Sequence, residues 1–275
     1  MPLRVVDVVA GRWYTKLELP TLVCAGMIDL STVTLEVSGT VDYKSVGGIR
    51  ENIERLIAEG HKRVSLDCAK TDFFDSCGIG LLVSIGRSLK TAGGGLQVIS
   101  PGTQLRHALE TAGFSSLVDL VETKAHTPTR KPSVGCTYRR ISLKVPTSVD
   151  HGRQIRRRVM ELAENMPFTN EALEDIKLAV GEAVTNAIRH GNWQDAEARI
   201  EVNATADDRA LTVEITNPSE PFDHSSRPLP APDNLQEGGL GIHFMHSCMD
   251  SVNFLFTKGK ATVKMVKHLR LNDGE

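Results

Sequence analysis

The sequence of 275 residues predicts two successive domains, an α/β domain followed by an α+β sandwich. Its length exceeds the roughly 100–150 residues that one core usually organises. In the first half, strand-type and helix-type hydrophobic periodicities alternate, which is typical of layered α/β folds. In the second half, two consecutive helical patterns precede a group of strands, which favours helices packed against a mostly antiparallel sheet.

The first predicted domain begins with a strand at Thr32–Val41, where β-branched residues recur with a period of two. A helix follows, because apolar residues recur at helical spacing from Val46 to Ile57, and it ends at Gly60. The remaining predicted elements are a strand at Arg63–Leu66, a helix at Gly78–Lys90, a strand at Leu96–Ile99 and a helix at Gln104–Ala112. Residues 1–27 have no clean period, so no element is predicted there.

Prolines and polar residues over 123–140 predict an interdomain linker, so we expect domains at residues 1–122 and 141–270. The second domain is predicted to open with a strand and two helices, followed by strands, one further helix and two more strands. In chain order these are Ile141–Val145, Ser148–Asn165, Asn170–His190, Arg199–Ala204, Leu211–Thr216, Ile242–Asp250, Ser251–Phe256 and Ala261–His268.

Composition excludes several classes of protein. A formal net charge of −2 argues against a generally basic, nucleic-acid-binding surface. The five cysteines include no CxxC pair, so neither a disulfide framework nor a cysteine zinc site is predicted. The longest apolar stretch, Gly78–Gly86, is far shorter than the ~20 residues that span a bilayer, and no signal peptide pattern is present. We therefore expect a cytoplasmic protein that binds no membrane and no nucleic acid directly.

A serine at a predicted helix start is the first candidate functional residue. The segment Thr71–Gly80 reads TDFFDSCGIG and places Ser76 just before a helix. The simple interpretation is an N-cap, in which the hydroxyl accepts a bond from a backbone amide. The alternative is a phosphorylation site, since a helix N-terminus tolerates a phosphate, with Asp72 and Asp75 keeping the surrounding surface acidic.

This segment resembles the phosphorylation loop of STAS-domain anti-sigma-factor antagonists. The resemblance rests on Asp75–Leu81, on Ser38–Asp42 at the end of a strand and on Gly94–Leu96 at the start of another, and it covers roughly Val33–Val121. In that family, a dedicated kinase phosphorylates the serine that follows the aspartate. The resemblance therefore implies that Ser76 is the phosphoacceptor.

The segment Val180–Asn192 (VGEAVTNAIRHGN) carries a second set of polar residues. On a helix, Glu182, Asn186 and His190 are spaced four residues apart and share one face, opposite an apolar face. They could form a solvated stripe with weak hydrogen bonds. Alternatively, the asparagine oxygen is a ligand for Mg²⁺, and a glutamate one turn away can orient or deprotonate a hydroxyl.

A glycine-rich segment, Glu237–Ile242 (EGGLGI), precedes the last predicted helix. Glycines before a helix let backbone amides approach a phosphate, although the same residues also suit an ordinary turn. The intervening span, Pro218–Asn234, contains five prolines and no periodicity. Long aperiodic spans are usually functional or disordered, and a lid over a nucleotide is one such function.

The order of these motifs resembles the GHKL ATPase fold and, more closely, the anti-sigma-factor serine kinases, over roughly Ile141–Leu269. The resemblance implies ATP and Mg²⁺ as cofactors. It implies that Asn186 binds Mg²⁺ and that Glu182 is the catalytic base. The other implied cofactor-binding residues are His190, Asn217, Gly238, Gly239 and Gly241.

One segment departs from the pattern of that family. Where the family has Asp-x-Gly-x-Gly, with the aspartate bound to the adenine amino group, this chain has Asn217-Pro218-Ser219-Glu220-Pro221. The asparagine can accept the same hydrogen bond without a charge. Both glycines and their conformational freedom are lost.

Two functions remain open at the level of sequence. The first is a partner-switching regulator, an ATP-dependent protein serine kinase fused to its own STAS substrate module. Its partners would be STAS proteins, sigma-factor-like regulators or a phosphatase. Fusion raises the effective concentration of the two modules, so docking within one chain or within a homodimer is expected. The second is a non-catalytic adaptor whose domains only bind partners.

Overall fold

The computed structural model describes residues 5–9, 12–15, 32–122, 138–191, 197–219 and 240–270. The chain divides into two compact units, Met1–Thr127 and Pro128–Glu275. The first is an α/β unit and the second an α+β unit, so the predicted fold class is confirmed. Within the described part of the chain, none of the helices has the length and apolarity needed to cross a bilayer.

The first unit contains a six-stranded sheet with the order β2-β1-β3-β4-β5-β6. A hairpin of β1 and β2 pairs antiparallel with β3, in a region where the sequence predicted no element, and the four strands from β3 to β6 are parallel. Parallel strands require crossover connections, which three helices and one short 3₁₀ turn provide. The bounds are β1 Val5–Val9, β2 Arg12–Thr15, β3 Thr32–Val41, α1 Val46–Ala58, β4 Arg63–Phe74, α2 Ser76–Thr91, β5 Gly95–Ile99, α3 Thr103–Thr111 and β6 Asp119–Val121.

Strand β4 is longer than predicted, because it continues from Leu66 to Phe74. Its pairing with β3 shifts register twice, each time with one extra residue in β4, and Gly39 of β3 has a φ of +77° there. Such bulges interrupt the period-two pattern that identifies a strand in sequence. Strand β4 ends at Phe74, two residues before Ser76.

Helix α2 begins in close contact with β3. A Cβ atom at Gly78 would lie 2.9 Å from both the Cγ1 atom and the carbonyl oxygen of Val41. Only glycine allows this approach without a shift of the strand or the helix. The first turn of α2 is consequently held against the end of the sheet, where the loops after β3 and β4 meet.

The second unit contains a five-stranded sheet with the order β10-β11-β9-β8-β7, and every pair of its described strands is antiparallel. The bounds are β7 Arg139–Pro146, α4 Val149–Ala163, α5 Asn170–His190, β8 Arg199–Ala206, β9 Ala210–Pro218, α6 Leu240–Cys248, β10 Ser251–Thr257 and β11 Lys260–His268. Apart from β4, the predicted elements agree with the structure to within two residues at each end.

One face of this second sheet forms the core with the helices. Alternate residues of β8, β9 and β11 are buried there, as are most residues in the second half of α5. The opposite face carries polar cross-strand pairs, such as Lys264 with Glu214 at 2.9 Å and Lys144 with Glu201 at 3.1 Å. A functional site of this unit is therefore expected where the helices meet the sheet.

Candidate functional site

Ser76 is the first residue of α2 and is only 6% exposed. The residue that caps the helix is Asp75, because its Oδ1 atom accepts bonds from the amides of Cys77 (2.9 Å) and Gly78 (3.0 Å). The prediction that Ser76 is the N-cap is therefore wrong. Aspartate is as good a cap as serine, and here its carboxylate occupies the amides that were expected to receive a phosphate.

Asp75 is fully buried, so the expectation that it contributes to an acidic surface is also wrong. Asp72 remains exposed. The buried Asp42, at the end of β3, accepts bonds from the amides of Lys44 and Ser45. Burial raises the pKa of Asp75 to about 6, with a smaller contribution from the charge of Asp42, while the amide bonds act in the opposite direction. Two buried carboxyl groups thus lie beside the candidate phosphoacceptor.

Sequence reasoning missed the role of Gln104, which lies at the start of α3 and is buried. Its side-chain amide forms two hydrogen bonds with the backbone of Phe74, two residues before Ser76. A single glutamine near a predicted helix start gives no local signal of such a contact.

Helix α5 carries the three polar residues predicted for the second unit, but they differ in exposure. Glu182 is fully buried, Asn186 is half-buried, and His190 at the helix end is exposed. The alternative interpretation, a solvated stripe of all three residues, therefore does not hold at Glu182. Residual burial and the neighbouring charge of Arg189 lower the pKa of His190, which favours its neutral form.

Asn186 and His190 converge with Asn217 on one cavity between α5, α6 and the sheet. Apolar side chains complete its walls. The cavity measures about 20 Å³. Its lining residues are Ala183, Asn186, Ala187, His190, Asn217, Met245, Phe254, Ala261, Thr262 and Val263.

Asn217 lies within β9 instead of in a loop after it, because the strand continues to Pro218. It pairs with Ala261 of β11 and is 6% exposed, and its side-chain amide donates a bond to the carbonyl of Pro218 at 3.1 Å. Next to it, the hydroxyls of Thr216 and Thr262 lie 2.8 Å apart on the other face of the sheet. Asn217 therefore lines the cavity from a strand position that is paired with β11.

Helix α6 begins at Leu240, two residues earlier than predicted. Gly241 consequently lies inside the first turn of the helix, where backbone amides have no partner within the helix itself. Gly238 and Gly239 lie outside the described residues. Of the three glycines predicted to bind phosphate, the structure therefore describes only Gly241.

A buried ion pair that the sequence did not predict joins α5, α6 and β11. The Nζ atom of Lys267 donates to Asp175 Oδ2 and to the carbonyl oxygen of Cys248, each at 2.7 Å. Lys267 is 6% exposed. Burial raises the pKa of the Cys248 thiol, and the nearby Asp175 adds to this effect, so the thiol stays protonated. The last carbonyls of α6 and the first half of α5 are therefore fixed to the sheet.

The lining of the cavity agrees with the chemistry of a magnesium nucleotide. A ligand pocket typically combines mostly apolar walls with a few convergent polar groups, as here. The amide oxygens of Asn186 and Asn217 are hard, neutral donors, of the type that Mg²⁺ or an amino group of a base can bind. The residues present therefore fit the group that the motifs predict.

The second unit is similar to known proteins. A model of the histidine kinase-like ATPase domain matches residues 145–267. The serine-protein kinase RsbW of Bacillus subtilis is 31% identical over 137 residues, which cover 47% of this chain and 85% of that protein. The chain belongs to the RsbW-like family of anti-sigma-factor kinases. The anti-sigma F factor of Clostridium acetobutylicum is 35% identical over 114 residues, which cover 40% of this chain and 78% of that protein.

The first unit of this RsbW-like chain matches the STAS domain model over residues 27–127. The solved structure of the anti-sigma factor antagonist SpoIIAA in its unphosphorylated form covers 37% of this chain and 86% of that chain. It is 22% identical, with a TM-score of 0.30. The chain is thus a STAS domain joined to a kinase-like GHKL domain, the domain content of a partner-switching regulator.

Proposed function

We propose that this protein is an ATP-dependent protein serine kinase of the anti-sigma-factor type and that Ser76 in its own STAS domain accepts the phosphoryl group. The convergence of Asn186, His190 and Asn217 on one cavity carries this proposal. Family membership supports it, because relatives at about 31% identity are serine-protein kinases.

Each residue of the site has a specific role in the proposed reaction. The side chain of Asn217 accepts a hydrogen bond from the base, and the oxygen of Asn186 holds Mg²⁺. An ion held there would supply positive charge that neutralises the phosphates. Gly238, Gly239 and Gly241 would bind the phosphates of ATP through their amides. Glu182 receives the hydroxyl proton while the serine oxygen bonds to the γ-phosphorus and the ADP oxygen leaves.

The surroundings of Ser76 suggest how phosphorylation changes the STAS domain. A phosphate adds about −1.5 to −2 charges beside the buried carboxylate of Asp75, which already occupies the amides of Cys77 and Gly78. Like charges on adjacent residues repel each other, so we expect the phosphate to disturb this cap. We expect phosphorylation to rearrange the start of α2 and to release a bound partner, such as a kinase-like domain or a sigma-factor-like regulator.

Complementation between full-length variants tests the proposal. A Ser76→Ala chain serves as kinase only and a Glu182→Gln chain as acceptor only, with Mg-ATP added to each chain and to the mixture. Intact mass and peptide mass spectrometry should find one phosphate, on Ser76 of the acceptor, in the mixture alone. Phosphate on other residues, or none in the wild-type chain, would contradict the proposal.

Asn186 allows a separate test of the metal site. Replacing it with alanine removes a Mg²⁺ ligand, so affinity for Mg-ATP and turnover should fall together, by about 10–100-fold. His243→Ala, on α6 and outside the cavity lining, is a suitable control. Unchanged Mg-ATP binding in Asn186→Ala, measured by calorimetry, would remove Asn186 from the site.

A non-catalytic adaptor is the second candidate function, and two observations favour it. Glu182 is fully buried, and Pro218 continues β9 where the family pattern has a flexible glycine segment. In that case both domains bind partners and no phosphate is transferred. Calorimetry with Mg-ATP separates the two functions, since micromolar affinity supports the kinase and no binding at millimolar ATP supports the adaptor.

A further inference from the structure

Gln104 occupies a position that an apolar residue would usually fill. It lies in the first turn of α3 beside the buried Leu105, one turn before Ala108, and is only 3% exposed. Burying a primary amide is unfavourable unless its hydrogen bonds are formed. Its role must therefore follow from the bonds that it makes.

Both polar atoms of the Gln104 side chain bind one residue, Phe74. The Phe74 amide donates to Oε1 at 3.0 Å, and Nε2 donates to the Phe74 carbonyl oxygen at 2.9 Å. Strand β4 pairs with β5 only from Arg63 to Asp67 and then continues to Phe74. The side chain of Gln104 thus replaces a neighbouring strand at the last residue of β4.

The residue that Gln104 holds is directly connected to the start of α2. On the other side of β4, the amide of Asp75 donates to the carbonyl oxygen of Val41 at 3.0 Å. The Asp75 carboxylate then binds the amides of Cys77 and Gly78. Ser76 therefore directly follows two backbone positions, Phe74 and Asp75, that are held from α3 and from β3, and the Asp75 cap holds the amides that come after it.

We propose that Gln104 is a positioning residue for Ser76, which through the Phe74 backbone holds the serine and its Asp75 cap in the geometry required for phosphoryl transfer. This inference rests on the proposed function of Ser76 as phosphoacceptor. Gln104 itself touches no reacting atom. Gln104 lies on α3, which carries no part of the phosphorylation motif, and it sets the position of Ser76.

Replacement by glutamate distinguishes this role from simple packing. A protonated glutamic acid can accept from the Phe74 amide and donate to the Phe74 carbonyl, as glutamine does. The ionised form cannot donate, and its charge faces the carbonyl oxygen. Gln104→Glu should therefore regain the wild-type behaviour as the pH falls, whereas Gln104→Met should not.

The experiment compares full-length wild type, Gln104→Glu, Gln104→Met and the control Gln97→Met. Gln97 lies on β5, is half-buried and accepts a bond from Ser65, away from the Ser76 loop. Protection factors for amide hydrogen exchange at Cys77 and Gly78 are measured relative to the rest of the domain. In parallel, each change is made in the Glu182→Gln acceptor chain, and kcat and KM for its phosphorylation by the Ser76→Ala chain are measured.

In Gln104→Met we expect protection at Cys77 and Gly78 to fall about tenfold, the effect of losing hydrogen bonds to one buried residue. We expect kcat to fall by a similar factor with little change in KM for the acceptor. Relative to the wild type at the same pH, both effects of Gln104→Glu should be present at pH 8 and should diminish towards pH 5. Gln97→Met should leave both quantities as in the wild type.

Two results would overturn the inference: protection in Gln104→Met that falls equally throughout the domain, or effects of Gln104→Glu that do not depend on pH. If Gln104→Met does not fold, the pH series of Gln104→Glu alone decides. The exchange measurement needs no phosphorylation. Absence of phosphate on Ser76 in the wild type would therefore refute the proposed function, while the effect of Gln104 on the loop would still be measured.

Discussion

The two units build their candidate sites in different ways. Around Ser76, the buried polar side chains of Asp75, Asp42 and Gln104 all bind backbone atoms of neighbouring loops and strand ends. In the kinase-like unit, the candidate site consists of side chains from α5, β9 and α6 that meet on one side of the sheet. Parallel strands bring their carboxyl ends to one edge, so loops form the first site. In the second unit, helices cover one face of an antiparallel sheet, and the candidate site lies between the helices and the sheet.

From this difference we predict that the buried carboxyl group of the second unit, Glu182, takes part in the reaction. The buried carboxyl groups of the first unit, Asp42 and Asp75, should instead hold the backbone in place. The ion pair of Lys267 and Asp175 is an exception within the second unit, because it holds elements together without lining the cavity. The following variants test the distinction.

The largest effect is expected at Glu182. Glu182→Gln keeps the size of a fully buried side chain but removes the proposed base, so phosphotransfer should fall by about 10²–10⁴-fold. ATP affinity should change little, because this residue does not line the cavity. Rates from phosphopeptide mass spectrometry and affinities from calorimetry provide the test, with the exposed Glu171→Gln on the same helix as control. Full activity in Glu182→Gln would show that Glu182 is not the base.

Lys267→Met should be the most destabilising change. It leaves the largely covered carboxylate of Asp175, whose side chain is 18% exposed, without its cation and removes the donor to the carbonyl of Cys248, at a cost of about 3–5 kcal/mol. Lys264→Met on the same strand breaks only a partly exposed pair with Glu214, which contributes at most about 1 kcal/mol. Urea unfolding of both variants measures the difference. Equal losses would show that the buried pair contributes no more to stability than a surface pair.

Asp75 should make the stability of the first unit depend on pH. Because burial raises its pKa from 3.8 to about 6, the folded state binds the proton more tightly than the unfolded state. Its contribution to stability should therefore fall by up to about 3 kcal/mol as the pH rises between these values. Asp75→Asn keeps a capping side chain and removes the titration. Urea unfolding from pH 4 to pH 7 should show a flatter profile in this variant.

A matched control for Asp75→Asn is Asp67→Asn, also on the first unit, where the carboxylate accepts from the amide of Ala69. The profile of this variant should still contain the contribution of Asp75. If Asp75→Asn and the wild type had the same slope between pH 4 and pH 6, the burial of Asp75 would not determine the pH dependence.

The smallest effects are expected at two glycines of α2. Gly78→Ala places a methyl group against Val41 and should cost about 1–3 kcal/mol. Gly80→Ala meets no atom within 4 Å and should stabilise the helix by about 0.5–1 kcal/mol. Thermal unfolding measures both changes. Destabilisation by both substitutions would show that the close approach of α2 to β3 is not specific to Gly78.

Secondary structure was largely predictable from sequence, and the exceptions have physical reasons. Helix α5 and strand β3 agree with their predicted bounds, because a long amphipathic period and a run of β-branched residues are strong local signals. The end of β4 was missed because two bulges break its alternation. The hairpin of β1 and β2 was missed because its short strands carry no clean period.

The candidate sites were predictable as residue types but not as geometry. Spacing placed Glu182, Asn186 and His190 on one helical face, and that face exists. Spacing could not predict that the first is fully buried while the last is exposed, since the depth of each turn depends on α6 and on the sheet. Likewise, the sequence Asp75-Ser76 contains two good capping residues, and only the packing of α2 against β3 decided which one caps.

The sequence by itself determined that two different domains follow one another and which polar residues each contributes, because hydrophobic periodicity and capping chemistry act over a few neighbouring residues. The tertiary structure alone decided the partners of the buried polar groups. Gln104 binds a residue 30 positions away and Lys267 one 92 positions away. No local pattern encodes such pairs, because burial and a low effective dielectric arise only when distant elements pack together.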